Sequence, residues 1–178
     1  EAYAASKARL FELQSAAHVA VIALDDDSSR EIAKTVGDRL VPISTTKGWN
    51  WRGPTIAKRG LFWRRPHLYI QGDQFMDQAA WPSLQGPHNA QNAAAAAAVA
   101  QEILLAPWEL AEGLRTYPGL PHRMERVRER DGVLFVNDSK ATNPTATAPA
   151  LAAFEKIRWI CGGQAKTDNL DECAPHFG

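Results

Sequence analysis

A chain of 178 residues is long enough for one large domain or parts of two. Its composition, 45% apolar and 22% charged, is ordinary for a globular protein, and its 20 basic residues balance 20 acidic ones. That balance excludes binding to nucleic acid or membrane surfaces through bulk charge. Two cysteines, Cys161 and Cys173, make neither a disulfide framework nor a metal-ligand set, so the expected compartment is the reducing cytosol.

Ala2 to Gln14 reads as a helix, with Tyr3, Leu10, Phe11 and Gln14 near one face and Lys7 a turn beyond Tyr3. On pattern alone Lys7 is a snorkelling lysine, its stem buried and its amine in water. His18 to Leu24 is a short apolar run rich in β-branched residues and reads as a buried strand. Asp25-Asp26-Asp27 closes it, either as a solvated turn or as carboxylates placed to meet a metal or a ribose. Ser28 with Glu31 matches a capping box for a short helix through Val36. Arg39 to Ser44 is a second strand, so the unit is strand, helix, strand, the signature of a parallel sheet.

Between Thr45 and Gln74 six basic residues interleave with Trp49, Trp51 and Trp63. Such a mixture can bind single-stranded nucleic acid. The plainer reading is an antiparallel hairpin region with solvated charges, Ile56 to Trp63 and His67 to Ile70 flanking Pro66. Net neutrality favours the plainer reading. Gly86 to Asn92 leads into an alanine-rich helix from Ala93 to Leu105. Asn89 and Asn92 share a face at its start, as capping amides or as ligands for a base or ribose. Pro107 opens a second helix to about Tyr117.

Pro118-Gly119-Leu120-Pro121 reads as a hinge, followed by His122-Arg123. Met124 to Arg130 alternates apolar and charged residues and reads as a half-exposed strand. Asp131-Gly132 is a two-residue hairpin turn, and Val133 to Val136 returns as a buried strand. It delivers the chain into Asn137-Asp138-Ser139-Lys140-Ala141-Thr142-Asn143-Pro144, ahead of a helix from Thr147 to Phe154. A polar cluster between a strand's carboxyl end and a helix's amino end is where α/β sheets place ligands. The same residue types also cap helices, and Pro144 suits a first helical turn. Ile157 to Cys161 reads as another buried strand, Gly162 to Lys166 as a loop that brings Lys166 to an anion, and Asp168 to His176 as a final helix. No internal repeat, no Gly-x-x-x-x-Gly-Lys-Ser/Thr loop, no His-Glu-x-x-His and no paired Cys-x-x-Cys is present. The residues therefore predict two α/β regions joined by a hinge. Asn89, Asn92, Arg123, Asp138, Lys140 and Lys166 face the hinge from both sides.

Tyr3-Ala4-Ala5-Ser6-Lys7, Gly86 through Asn92, Gly119-Leu120-Pro121-His122-Arg123, Asn137 through Asn143, and Gly162-Gly163 with Lys166 occur in an order that resembles the Mur ligases. These are the ATP-dependent amide-forming enzymes of peptidoglycan synthesis. The Asn-Asp-Ser-Lys-Ala-Thr-Asn segment is most similar to members that add D-glutamate. The resemblance implies an α/β fold in which residues 1–121 are the later part of a central ATPase domain. Residues 122–178 would then begin a Rossmann-like C-terminal domain.

It further implies that ATP phosphorylates UDP-N-acetylmuramoyl-L-alanine to an acyl phosphate, which D-glutamate attacks. ATP and Mg²⁺ are the implied cofactors, and a cytoplasmic monomer without nucleic-acid or membrane partners is the implied state. Lys7 matches a carbamylated lysine, both catalytic and a Mg²⁺ ligand as its carbamate, which requires its amine first to be neutral. Asn89, Asn92, Arg123 and Asp138 match nucleotide contacts, with Asp138 suited to ribose hydroxyls. Lys140 matches a lysine beside the reacting groups, and Thr142 and Lys166 match positions that hold D-glutamate. The family's phosphate loop is expected ahead of Glu1 and further D-glutamate contacts beyond Gly178. The 178 residues alone are therefore expected not to catalyse ligation. Another Mur ligase, a folylpolyglutamate synthase-like ligase, a non-catalytic nucleotide-binding regulator and a single-strand nucleic-acid binder are the rival readings.

Overall fold

The computed structural model describes residues 2–45, 60–64, 66–164 and 169–177. It begins with helix α1 (Ala2–Glu12), strand β1 (Ala20–Ala23), helix α2 (Asp27–Thr35) and strand β2 (Leu40–Ser44). Strands β3 (Leu61–Arg64), β4 (His67–Ile70) and β5 (Asp73–Asp77) follow, then helices α3 (Pro87–Glu102) and α4 (Pro107–Thr116). The chain ends in strands β6 (Glu125–Arg130) and β7 (Val133–Asn137), helix α5 (Pro144–Leu151) and a 3₁₀ turn at Ala174–His176.

Strands β1 to β5 form one sheet in chain order. β1, β2 and β3 run parallel, and β3, β4 and β5 are antiparallel. The expected strand, helix, strand unit is therefore present, and the fold is α/β. β2 is buried at every position although Pro42 interrupts its hydrogen-bond donors. Pro42 pairs with Ile22 of β1, while β3 joins only at Ile43 and Ser44, so Pro42 has a strand on one side only. The expected hairpin is β3 and β4, and β5 extends it into a meander that the polar Gln74 and Asp77 conceal in the sequence. The earlier part of the expected strand, 56–59, lies outside the described residues.

α3 lies across β1, β2 and β3. Its inner face is Ala90, Ala93, Ala94, Ala97 and Ala98, all buried. Side chains this small let the helix axis approach the sheet closely. Trp81, Leu61 and Leu68 fill the same core with no exposed surface. Trp63 is buried in that core too, which removes it from any base-stacking surface. Trp49 and Trp51 lie outside the described residues. A second cluster, around Leu24, Val36 and Leu40, packs α2 on the other side of β1.

Several expectations are corrected. α1 buries no residue, and its apolar stripe stands open, with Tyr3 76% and Leu10 61% exposed. Only Phe11 reaches a core cluster. α2 is capped by Asp26, not Ser28: the Asp26 carboxylate accepts from Ser29 N at 2.9 Å and from Ser29 Oγ at 2.7 Å. Starting the helix earlier lets its first turn use the stronger acceptor.

The alanine-rich helix starts at Pro87, six residues before the alanine run, because proline suits the first helical turn. Val133 to Val136 is a strand but not a buried one. In the two-stranded β6–β7 ribbon Val133 is 54% and Phe135 51% exposed, since among the described residues no second layer covers that face. The helix after Asn143 runs over Pro144–Leu151. Ile157 to Cys161 forms no strand, and Ile160 is 95% exposed. Among the described residues the expected last helix is reduced to turns at 171–176; Thr167 and Asp168 lie outside them.

Candidate functional site

Three segments meet around one cavity of about 580 Å³. The first is the amino-terminal half of α3. Its N-cap, Gly86, has φ +86°, ψ 163° and no side chain to cap with. Gln78 ties down the segment that leads into the helix through two backbone carbonyls. This side chain is buried, and its Nε2 donates to Leu84 O at 2.7 Å and to Gly86 O at 2.9 Å.

The second segment is the loop after α4. Ser83 Oγ donates to Tyr117 O, and Leu120 bridges to Arg123, whose N–H donates to Leu120 O at 3.2 Å. His122 and Met124 both adopt left-handed backbone, with φ 63° and 50°. Side chains other than glycine enter that region at a cost, so the surroundings must hold them there.

The third segment, Asn137 to Ala141, does this. Met124 N donates to Asp138 Oδ1 at 3.0 Å, Lys140 N donates to His122 O at 3.1 Å, and Asn137 Nδ2 lies 2.9 Å from His122 Nδ1. The cluster thus divides its work. Asn143 is a helix cap, accepting from Ala146 N at 2.8 Å, with Pro144 in the first turn of α5. Asp138 and Lys140 instead line the cavity.

Arg123, between His122 and Met124, lines the cavity with Asp138 and Lys140, and Asn89 and Asn92 come from α3, with Ala93, Leu110 and Leu114 among the apolar wall. Asn89 Nδ2 donates back to Gln85 O at 3.0 Å, which fixes one end of its amide. A second lining carboxylate, Glu109, is engaged with Ala106 N at 2.8 Å. The small apolar groups, two amides, the Asp138 carboxylate and two cations are chemically matched to a purine, a ribose and phosphate oxygens.

Residues 1–100 match the Mur ligase middle domain. The chain belongs to the Mur ligase family. It is 47% identical over 175 residues to the UDP-N-acetylmuramoylalanine–D-glutamate ligase of Novosphingobium aromaticivorans, covering 98% of this chain and 34% of that protein. Against the enzyme of the same name from Zymomonas mobilis the identity is 46% over 177 residues, 99% of this chain and 34% of that protein. The Sphingopyxis alaskensis enzyme of that name is 45% identical over 183 residues, 100% of this chain and 36% of that protein. The chain spans about a third of the length of these relatives.

Five of the residues singled out by the Mur ligase resemblance, Asn89, Asn92, Arg123, Asp138 and Lys140, line this one cavity. Three do not. Lys7 is exposed on α1, its Nζ 5.2 Å from the Tyr3 ring centroid. Thr142 is exposed beyond the cavity wall, and Lys166 lies outside the described residues. The described residues contain no group of three or more His, Cys, Asp or Glu side chains able to hold a metal. No helix among them is long and apolar enough to cross a membrane.

One cavity residue was not singled out in the sequence. His88 sits on α3 between Gly86 and the cavity, with its Nδ1 buried and unpartnered. Burial pushes its imidazole below the ordinary value of 6.5, while the Asp138 carboxylate pulls part of the way back. With Nδ1 enclosed beside Gly86, the neutral tautomer that carries its proton on Nε2 leaves no buried donor unpaired. His88 lies inside the Gly86–Asn92 motif but is not picked out there as a site residue, because its state depends on burial by the fold and on a carboxylate fifty residues away.

Proposed function

We propose that this chain is the nucleotide-binding part of a ligase that joins D-glutamate to UDP-N-acetylmuramoyl-L-alanine with ATP. One observation carries the proposal: the cavity gathers Asn89, Asn92, Arg123, Asp138 and Lys140 from both sides of the Pro118–Pro121 loop. The names of the relatives supply the substrates. Residues 1–121 are proposed as the later part of the central domain and 122–178 as the start of the C-terminal domain.

In this scheme Asn89 and Asn92 meet the adenine edge, and Asp138 accepts from ribose hydroxyls. Arg123 and Lys140 neutralise phosphate oxygens. The γ-phosphoryl group passes from ATP to a carboxylate oxygen of the muramoyl-alanine, leaving ADP. The D-glutamate amine then attacks the acyl carbon, the amide C–N bond forms, and phosphate departs with that oxygen. Thr142 and Lys166 are proposed to hold D-glutamate. Closure about the 118–121 loop would exclude water from the acyl phosphate. The reaction is placed in the cytosol, with the protein as a monomer.

Lys7 is proposed as the carbamylated lysine. Its amine is open to carbon dioxide, and the carbamate would present oxygen to Mg²⁺. The described residues do not complete a ligand set around it, and no step above runs through a metal. Carbon-13 bicarbonate labelling with carbonyl-region NMR should give a carbamate signal that Lys7→Arg removes.

The deciding experiment is phosphate release by the full-length protein that carries this chain. It would be given MgATP, UDP-N-acetylmuramoyl-L-alanine and, in turn, D-glutamate, L-glutamate, alanine or lysine. Release with D-glutamate alone is expected. Release with another amino acid would keep the chemistry and move the substrate, and release with none would overturn the ligase assignment.

A further inference from the structure

α3 carries both asparagines of the nucleotide cavity, yet its packing face is weakly featured. Ala90, Ala93, Ala94, Ala97 and Ala98 press on the sheet, none more than 2% exposed. An all-alanine face allows close approach but offers no long side chains to interlock. Rotation and sliding of the helix are therefore resisted less by shape than in a Leu-rich interface. A rotation of about 20° moves a group about 5 Å from the axis by nearly 2 Å, which is enough to break a hydrogen bond. Something other than packing must set the helix.

Asp25 meets that need. It stands just past the carboxyl end of β1, half-buried. Oδ1 accepts from Ser44 Oγ at 2.5 Å and from Thr45 N at 3.1 Å. Oδ2 accepts from Thr45 N at 3.0 Å, Thr45 Oγ1 at 2.9 Å and Gln91 Nε2 at 2.6 Å. A carboxylate offers roughly four acceptor positions. Donors from β1's neighbour and from α3 occupy them, so Asp25 is a clasp, neither part of a solvated turn nor a metal or ribose ligand, the two readings of its acidic run.

Gln91 is one residue before Asn92 and two after Asn89. At about 100° per residue its side chain leaves α3 well away from the face the two asparagines share. Pinning Gln91 to the ends of β1 and β2 therefore fixes the angle at which Asn89 and Asn92 enter the cavity. We infer that Asp25 and Gln91 form a positioning pair for the nucleotide site, acting through α3 and touching no substrate. The inference rests on the nucleotide reading of the cavity given above.

The test uses the full-length protein and a double-mutant cycle. Gln91→Leu keeps the side chain's bulk and removes the donor. It should raise the KM for ATP about tenfold, change kcat less than about threefold and leave the KM for the UDP-linked substrate unaltered. Asn92→Ala should raise the ATP KM on its own. The losses in the double variant should be less than additive, because part of the Gln91→Leu loss passes through the Asn92 contact. Fully additive losses, or a Gln91→Leu enzyme with wild-type ATP KM beside a weakened Asn92→Ala, would overturn the positioning pair and leave the nucleotide reading intact. An Asn92→Ala enzyme with wild-type ATP KM would overturn both.

Gln91→Glu keeps the question open to measurement if Gln91→Leu does not fold. Its carboxylate repels Asp25 at about pH 8, whereas a proton shared between the two restores a hydrogen bond near pH 5.5. The ATP KM relative to wild type should therefore improve as pH falls. A ratio that stays flat across that range contradicts the proposal.

Discussion

The backbone N–H of Met124 donates to Asp138 Oδ1 at 3.0 Å, joining the loop before β6 to the loop after β7. Met124 is 5% exposed and has φ 50°, so this bond satisfies a buried donor at a strained position. Asp138→Ala removes the acceptor and should destabilise the protein by about 1–3 kcal/mol. Asp138→Asn keeps an acceptor and should lose much less stability. Both should weaken ATP binding, because the proposed ribose contact loses its carboxylate in each. Urea unfolding with nucleotide titration separates the two effects, and equal stability for both variants would refute the structural half.

His88 makes stability depend on pH. Its imidazole is held below the ordinary 6.5, chiefly by burial. Between the folded and unfolded values the unfolded chain binds the extra proton and the folded one does not, so stability falls as pH drops. The loss should begin below about pH 6.5 and level off once the folded value is passed. His88→Gln should flatten that part of the profile. Denaturation midpoints at half-unit pH steps are the measurement, and an unchanged slope in the variant would assign the effect elsewhere.

Gly86 should tolerate no side chain. A Cβ there would lie 3.1 Å from Ala153 Cβ and 3.3 Å from His88 Nδ1, on a backbone with φ +86°. That backbone region alone costs a non-glycine residue about 1–3 kcal/mol. Gly86→Ala should therefore destabilise by at least about that much and displace His88 from its seat. Guanidinium unfolding gives the first quantity, and the loss of the His88-linked pH slope gives the second.

Asp26 caps α2, and the Ser29 backbone N–H holds its carboxyl below the usual 3.8. Asp26→Ala should cost about 1 kcal/mol, with Asp26→Asn closer to wild type. The cap's charge-dependent contribution is present above the unfolded value near 3.8 and lost as pH falls through the folded value. Thermal melts at about pH 6 and pH 3 should show the Asp26→Ala deficit shrinking in acid. A deficit equal at both would mean the carboxylate's charge plays no part.

How legible each element was follows from how local its causes are. Pro107 begins α4 because proline fits a first helical turn. Asp131-Gly132 closes β6 on β7 because both residues take positive φ, 52° and 74°, as a type I′ turn requires. Val133 to Val136 was recognisable as a strand, since β-branched and aromatic residues suit the pleat. Its exposure was not, because burial depends on what the rest of the chain lays over it. Ile157 to Cys161 shows the same limit, since an apolar run becomes a strand only if a neighbour's backbone is there to pair with it.

The site divides along the same line. Residue identity and spacing sufficed to pick out Asn89, Asn92, Arg123, Asp138 and Lys140 as polar groups flanking a Pro/Gly break, and the ordered motifs sufficed to suggest the family. Their convergence on one cavity, the burial of His88 beneath Asp138, and the use of Asp25 as a clasp for Gln91 depend on contacts between residues far apart in sequence. Local propensity acts over a few neighbouring residues. The path that brings residue 25 to 91, and 88 to 138, is set by sheet order and by the packing of the whole core.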